Sequence, residues 1–241
     1  MRYKCIVAYD GTNFHGFQVQ GELRTVQSEI EAVLLIITKT KTRIHASGRT
    51  DTGVHANGQV FHFDTDIIMP PENMQNAINS RLPKDIYIRN SEHVNDDFHS
   101  RFSAKSKVYR YLIDLGVYNP LLINYRYYYH YPVNLEQMII ASEYLIGEHD
   151  FKAFTKNHHL TNSTRTIYSL DIIKSGNLIT ITFHGDGFMH NMVRIIVAML
   201  LEVARGKITP SDFNNILESK NRKKAPKLAP PNGLYLEKVI Y

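Results

Sequence analysis

Polar and apolar positions alternate from Arg2 to Tyr9, the period-two pattern of a strand with one buried face, and Asp10-Gly11-Thr12-Asn13 ends it as a turn cluster. From Thr25 the period changes. Val26, Ile30, Val33, Leu34 and Ile37 recur at helical spacing, with Glu29 and Glu31 near the positive end of the helix dipole. A strand is expected at Val60–Phe63, and a short helix opens at Pro70-Pro71, carries Met74, Ala77 and Ile78, and closes at Leu82-Pro83. Ile86 to Arg89 reads as another strand, and a charged connection from Asp96 to Phe102 follows it.

The pattern then restarts. Lys107 to Leu115 is a strand with Tyr109, Tyr111 and Ile113 on one face. Leu135, Met138, Ile139, Ser142, Leu145 and Ile146 trace an amphipathic helix, with Gly147 placed just past its end. Ile167–Lys174 and Leu178–Phe183 form a hairpin around Ser175-Gly176-Asn177. The helix expected over Met189–Ala204 is apolar on nearly every side and must be buried. Thr209, Pro210 and Asp212 have the order of an N-cap, first and third helical position, and Gly233 to Ile240 reads as a strand.

Strands alternating with single helices predict an α+β fold of two similar halves, each a mixed or antiparallel sheet backed by helices, joined into one continuous unit. The boundary is expected near the charged connection, giving residues 1–104, with the turn around Asp51, and residues 105–241, with the Tyr109 strand and the Arg194 helix.

Composition narrows the class. A chain of 241 residues with 43% hydrophobic residues builds a real core, which excludes disordered and fibrous proteins. One cysteine, Cys5, lies in an apolar strand; it cannot form an internal disulfide and is expected as packing in a reducing compartment. No stretch approaches the ~18 apolar residues of a membrane span, so a cytoplasmic protein without membrane contact is expected. The net charge of +5 is unevenly spread. Lys39, Lys41, Arg43 and Arg49 stand without acidic neighbours, as do Arg101, Lys105, Lys107 and Arg110, and Lys220–Lys224 is a third basic cluster. Each is a solvated surface or part of a polyanion site. The 12 histidines show no metal-ligand spacing, so no metal is expected.

Candidate chemistry concentrates in Ser47-Gly48-Arg49-Thr50-Asp51-Thr52-Gly53-Val54-His55, where two glycines bracket an arginine and an aspartate in a turn between regular elements. Phe14-His15-Gly16-Phe17-Gln18-Val19-Gln20 is either a base-stacking loop or a loop packed on the core, and the tyrosine-rich run Tyr125–Tyr131 poses the same alternative. Arg194 sits inside the apolar helix, where an unpaired guanidinium is very costly. It requires a carboxylate partner or an exit at the helix edge.

Taken together, these stretches resemble the pseudouridine synthases that modify the anticodon arm of transfer RNA. Gly48-Arg49-Thr50-Asp51-Thr52-Gly53-Val54-His55-Ala56 is similar to that family's active-site signature, and Tyr9-Asp10-Gly11-Thr12, Gly16-Phe17-Gln18-Val19-Gln20, the Tyr109 strand, Phe188-Met189-His190-Asn191-Met192-Val193-Arg194 and Gly233-Leu234-Tyr235-Leu236 follow in the family's order. Phe17 stands where the family usually has Trp, and Ala198 where it usually has Gly. The resemblance implies joined α+β halves with a central basic cleft, a homodimer, and isomerisation of uridine to pseudouridine at positions 38, 39 and 40 of transfer RNA, without a cofactor. It further implies that Asp51 is catalytic, that Arg194 is its ion-pair partner, and that Tyr109, Arg49, Arg194 and Leu234 face the flipped nucleotide. Its glycines would then leave room for that nucleotide. Two rivals remain at this level. One is an RNA-binding protein without catalysis, and the other a hydrolase pairing Asp51 with Asp64 or Asp66.

Overall fold

The structure, a computed structural model, describes residues 1–157 and 161–241. Along the chain come β1 (Arg2–Tyr9), α1 (Val26–Thr38), β2 (His45–Ala46), β3 (His55–Asp64), α2 (Pro71–Asn79) and β4 (Ile86–Val94). Then follow β5 (Ser106–Asp114), β6 (Tyr127–Tyr128), α3 (Leu135–Glu143), β7 (Gly147–Asp150), β8 (Thr164–Ser175), β9 (Leu178–Gly185), α4 (Met192–Ala204), α5 (Pro210–Glu218) and β10 (Leu234–Ile240). Two compact units result. One is Met1–Lys105 with Tyr235–Tyr241, and the other is Ser106–Leu234. Each has the α+β character read from the sequence.

In the first unit β1 is central, antiparallel to β3 with Cys5 opposite Phe61 and to β4 with Cys5 opposite Ser91. β2 joins β3 antiparallel, and β10 runs parallel to β3 with Tyr235 opposite His55. The alternation of β1 turns Tyr3, Cys5, Val7 and Tyr9 inward, and α1 contributes Val26, Ile30, Val33 and Leu34 to the core. Thr25 and Ser28 close a capping box at the start of α1, a device worth about 1 kcal/mol. Burial pushes the Cys5 thiol up to about 12, so it is an inert packing group. β3 runs well beyond the four residues that the alternation marks, and both of its faces are buried. The face carrying His62 is covered by the connection at Phe98 and Ser100, whose backbone N–H donates to His62 Nδ1 at 3.2 Å. On β4, the amides of Asn79 and Gln75 satisfy the backbone of Ile88.

In the second unit β5 pairs with β9, β9 with β8 and β8 with β7, all antiparallel, and the two residues of β6 run parallel to β5. Helices α3, α4 and α5 pack on one another. The core joins Tyr111, Ile113, Ile181 and Phe183 of the sheet with Ile195, Ile196 and Leu200 of α4. All of α4 is buried except Arg194 and Glu202, as its composition requires. It begins at Met192 rather than Met189 because Asn191 takes a left-handed φ of 62°. Thr209, Pro210 and Asp212 occupy the expected positions at the start of α5, with a complete capping box. α3 is shorter than its pattern predicts. It stops at Glu143, and Leu145 and Ile146 follow in tight turns, donating to the carbonyls of Ser142 and Glu143. Leu145 stays buried without being helical, and Gly147, with φ of 101°, opens β7 instead of capping the helix. Among the described residues, no helix is long and apolar enough to cross a membrane.

Candidate active site

The turn from Ser47 to His55 leaves β2 and enters β3, and it is fastened from beneath by buried polar groups. Ser47 donates its hydroxyl to Gln59 Oε1 at 2.7 Å, and Gln59 Nε2 donates to the carbonyl of Gly48 at 2.9 Å. Gln59 is fully buried in the middle of β3. Tyr9 places its hydroxyl 2.8 Å from Thr50 Oγ1, and the backbone N–H of Phe17 donates to Thr50 O at 3.2 Å. Gly53 donates its N–H to Phe14 O, and Val54 donates its N–H to Asp51 O. At the far end, Gly11 N–H donates to His55 Nδ1 at 3.0 Å, and the His55 ring stacks on Tyr235 with centroids 4.7 Å apart. Asp10 Oδ1 lies 3.2 Å from the same nitrogen and is also bonded by Thr12.

Three glycines of this region have backbone reasons. Gly53 has φ of 77°, and Gly16, with φ of 85°, lies so close that a Cβ would meet Thr50 O at 2.7 Å. A Cβ on Gly11 would meet Val54 O at 2.1 Å. Room for a nucleotide is therefore not needed to explain Gly53: its left-handed turn already requires glycine. Phe14 and Phe17 are buried at 1% and 2% exposure, which decides that segment in favour of packing and against base stacking. On this support Asp51 is half-buried and Arg49 exposed.

In the second unit Tyr109 is buried on β5, opposite Phe183, and meets Phe188 edge-on at 5.1 Å. Arg194 reaches the edge of α4, where Nε donates to Ala229 O at 2.8 Å and Nη1 to Asn191 Oδ1 at 3.2 Å. Ala229 N–H in turn donates to Arg194 O, so the guanidinium stem is laced to the chain just before β10. Leu234 is buried at the start of β10. The tyrosine run is mainly packing: Tyr128 and Tyr129 are buried, and Tyr127, Tyr129 and Tyr131 meet edge to edge.

Asp64 forms a two-pronged pair with Arg2, both contacts at 2.8 Å, at the opposite end of β3 from the Asp51 turn. The strand from His55 to Asp64 spans about 30 Å, so the Asp51–Asp64 acid and base pair of the hydrolase reading is not assembled. Two contributors went unread in the sequence, Gln59 and the hydroxyl of Tyr9. Gln59 gave no visible signal, since it stands just before the strand read at Val60–Phe63 and β3 also carries the polar residues Asn57, His62 and Asp64.

The sequence profile of the tRNA pseudouridine synthase family matches residues 5–103 and 141–241. The chain belongs to that family. Asp51, Arg49, Arg194 and Leu234 fall within the matched stretches, and Tyr109 lies between them. Relatives extend the family likeness over the whole chain. A tRNA pseudouridine synthase A of Anoxybacillus flavithermus is 46% identical over 242 aligned residues, covering 100% of this chain and 98% of its own. Another, of Listeria monocytogenes, is 45% identical over 245 residues, covering 100% and 99%. A solved H/ACA ribonucleoprotein bound to a substrate RNA containing 2'-deoxyuridine aligns with 83% of this chain and 53% of its own at 12% identity and a TM-score of 0.36, too distant to argue from.

Proposed function

We propose that this protein isomerises uridine to pseudouridine in the anticodon arm of transfer RNA, at positions 38, 39 and 40, with Asp51 as the catalytic carboxylate. The observation that carries the reading is family membership, with relatives similar over the whole chain, together with Asp51 standing on a turn held rigidly at both ends. In the reaction the N1–C1' bond of uridine breaks, the uracil turns over in place, and C5 bonds to C1'. The C5 proton leaves, N1 gains a proton, and mass is unchanged. The balance closes without redox chemistry, so no cofactor is invoked. An ionised carboxylate can act as nucleophile or as base in this scheme.

The target nucleotide has to leave the base stack, at a cost of a few kcal/mol that aromatic and apolar contacts offset. We assign Tyr109 and Leu234 to those contacts, Arg49 to the nucleotide's phosphate backbone, and Arg194 to an ion pair with Asp51. The exposed cations Lys39, Lys41, Arg43 and Arg101 of the first unit and Lys220, Lys223 and Lys224 of the second suit contact with an RNA backbone. A cytoplasmic homodimer completes the proposal, by resemblance.

The test uses transfer RNA tritiated at uracil C5. Wild type is expected to release tritium and to yield a product of unchanged mass, and Asp51→Ala to release none. Free uracil among the products, or release that survives the substitution, would overturn the reading.

A further inference from the structure

The geometry points to Tyr9, acting through Thr50, as a positioning residue that sets the direction of Asp51. The inference rests on the reading of Asp51 as the catalytic carboxylate and adds a residue that does not touch the substrate.

A peptide unit is planar, so two fixed planes on either side of a residue fix its φ and ψ, and with them the direction of its Cα–Cβ bond. Both planes around Asp51 are held. The plane before it contains Thr50 O, which accepts from Phe17 N–H at 3.2 Å and lies 2.7 Å from where a Cβ on Gly16 would be. The plane after it contains Asp51 O, which accepts from Val54 N–H at 3.1 Å. Thr50 is also gripped by its side chain, at 2.8 Å from the Tyr9 hydroxyl. Tyr9 is itself immovable, 5% exposed at the end of β1 among strands on both sides.

Stability alone does not call for this pair. Replacing both partners of a buried hydrogen bond by apolar groups of the same shape is close to neutral, because the desolvation cost disappears along with the bond. Phenylalanine and valine would fill the same space. The hydroxyls add direction, which is what a reacting carboxylate needs, since a misplacement of about 1 Å can cost a hundredfold in rate. Burial raises the Tyr9 hydroxyl above its ordinary ionisation range, so it remains neutral at any working pH.

The experiment measures kcat and KM for tritium release from labelled transfer RNA, together with melting temperature, for Tyr9→Phe, Thr50→Val, Thr50→Ser and the Tyr9→Phe/Thr50→Val double variant. Tyr9→Phe and Thr50→Val are each expected to lower kcat about tenfold with KM within about twofold of wild type. Thr50→Ser, which keeps the hydroxyl, is expected to retain nearly full kcat. The double variant should be no slower than either single one and should melt no lower than Tyr9→Phe, since it leaves neither hydroxyl of the pair unpaired. Wild-type kcat in folded Tyr9→Phe and Thr50→Val, losses confined to KM, a loss shared by Thr50→Ser, or additive losses in the double variant would each overturn the inference. Should Tyr9→Phe fail to fold, the contrast between Thr50→Val and Thr50→Ser decides alone. Asp51→Ala in the same assay separates the two levels: activity there sinks the catalytic reading, whereas an inactive Asp51→Ala beside a fully active Tyr9→Phe sinks only the positioning role.

Discussion

The Asp51 turn and helix α4 both carry a charged residue assigned to the same chemistry, yet they are held in place by opposite means. The turn has little apolar surface of its own. It is tied by hydrogen bonds to Tyr9, Gln59, Phe14 and Phe17 and by glycines whose conformations no other residue adopts cheaply. Helix α4 is a rod of apolar residues, eleven of its thirteen buried, which carries Arg194 to an edge where two oxygens meet it. Non-directional burial is enough to place a long flexible side chain that finds its own bonds. A short carboxylate takes its position from the backbone beneath it, and only directional bonds fix a backbone turn.

Four substitutions or conditions sharpen that contrast. The largest effect is expected for Asp51→Ala, with a kcat loss of at least about a thousandfold and only a small fall in melting temperature, because a half-buried side chain in a turn supplies no core and the variant removes just the carboxylate of the proposed pair with Arg194. A fall of more than a few degrees would mean that the turn stabilises the fold as well. Leu200→Ala in α4 is expected to do the reverse, costing about 3 kcal/mol in urea unfolding while leaving kcat per folded molecule unchanged. A folded variant with damaged kcat would break the distinction. Gly16→Ala should strike both properties, since it strains a φ of 85° and presses on the carbonyl that precedes Asp51; about 2 kcal/mol and a clear drop in kcat are expected. An unchanged rate would detach the turn from its support.

The smallest effect is a pH dependence. Burial, with His99, Arg2 and His45 nearby, lowers the pKa of His62 to about 4. The unfolded chain takes up that proton near the ordinary histidine value, about 6.5, so the neutral folded form contributes fully above it and is lost as pH falls from there toward 4. Urea midpoints measured from pH 7 down to pH 4.5 should decline by an amount worth about 1–2 kcal/mol, and His62→Gln should flatten that slope. An equal slope in the variant would assign the effect to other groups, His99 first, whose pKa burial also lowers.

The same contrast governs what could be read from the chain. Helices α1, α4 and α5 were legible because apolar periodicity and caps are local: Thr25 and Thr209 sit where their neighbours require. Strands of two to four residues, β2, β6 and β7, are too short to show a period. The overlong reading of α3 failed because Leu145 and Ile146 kept helical spacing after the backbone had turned away. Asp51 stood out through its glycines and through family resemblance. Its fastening did not, since Tyr9 lies 41 residues from Thr50 and nothing in either neighbourhood announces the bond. The choice between stacking and packing for Phe14 and Phe17 was likewise tertiary, and burial settled it.

The parallel pairing of β10 with β3 has a consequence for the order of events in the cell. Asn57 bonds Glu237 across 180 residues, Gly58 has no space for a Cβ against Glu237 O, and Tyr235 covers the His55 ring. A ribosome delivers those partners only after the whole second unit has been made, a wait on the order of ten seconds at ordinary elongation speeds. The first unit thus spends its early life lacking one strand beside the Asp51 turn. Nascent chains are expected to hold the turn without that strand, so that the site proposed at Asp51 is not set until β10 has been made.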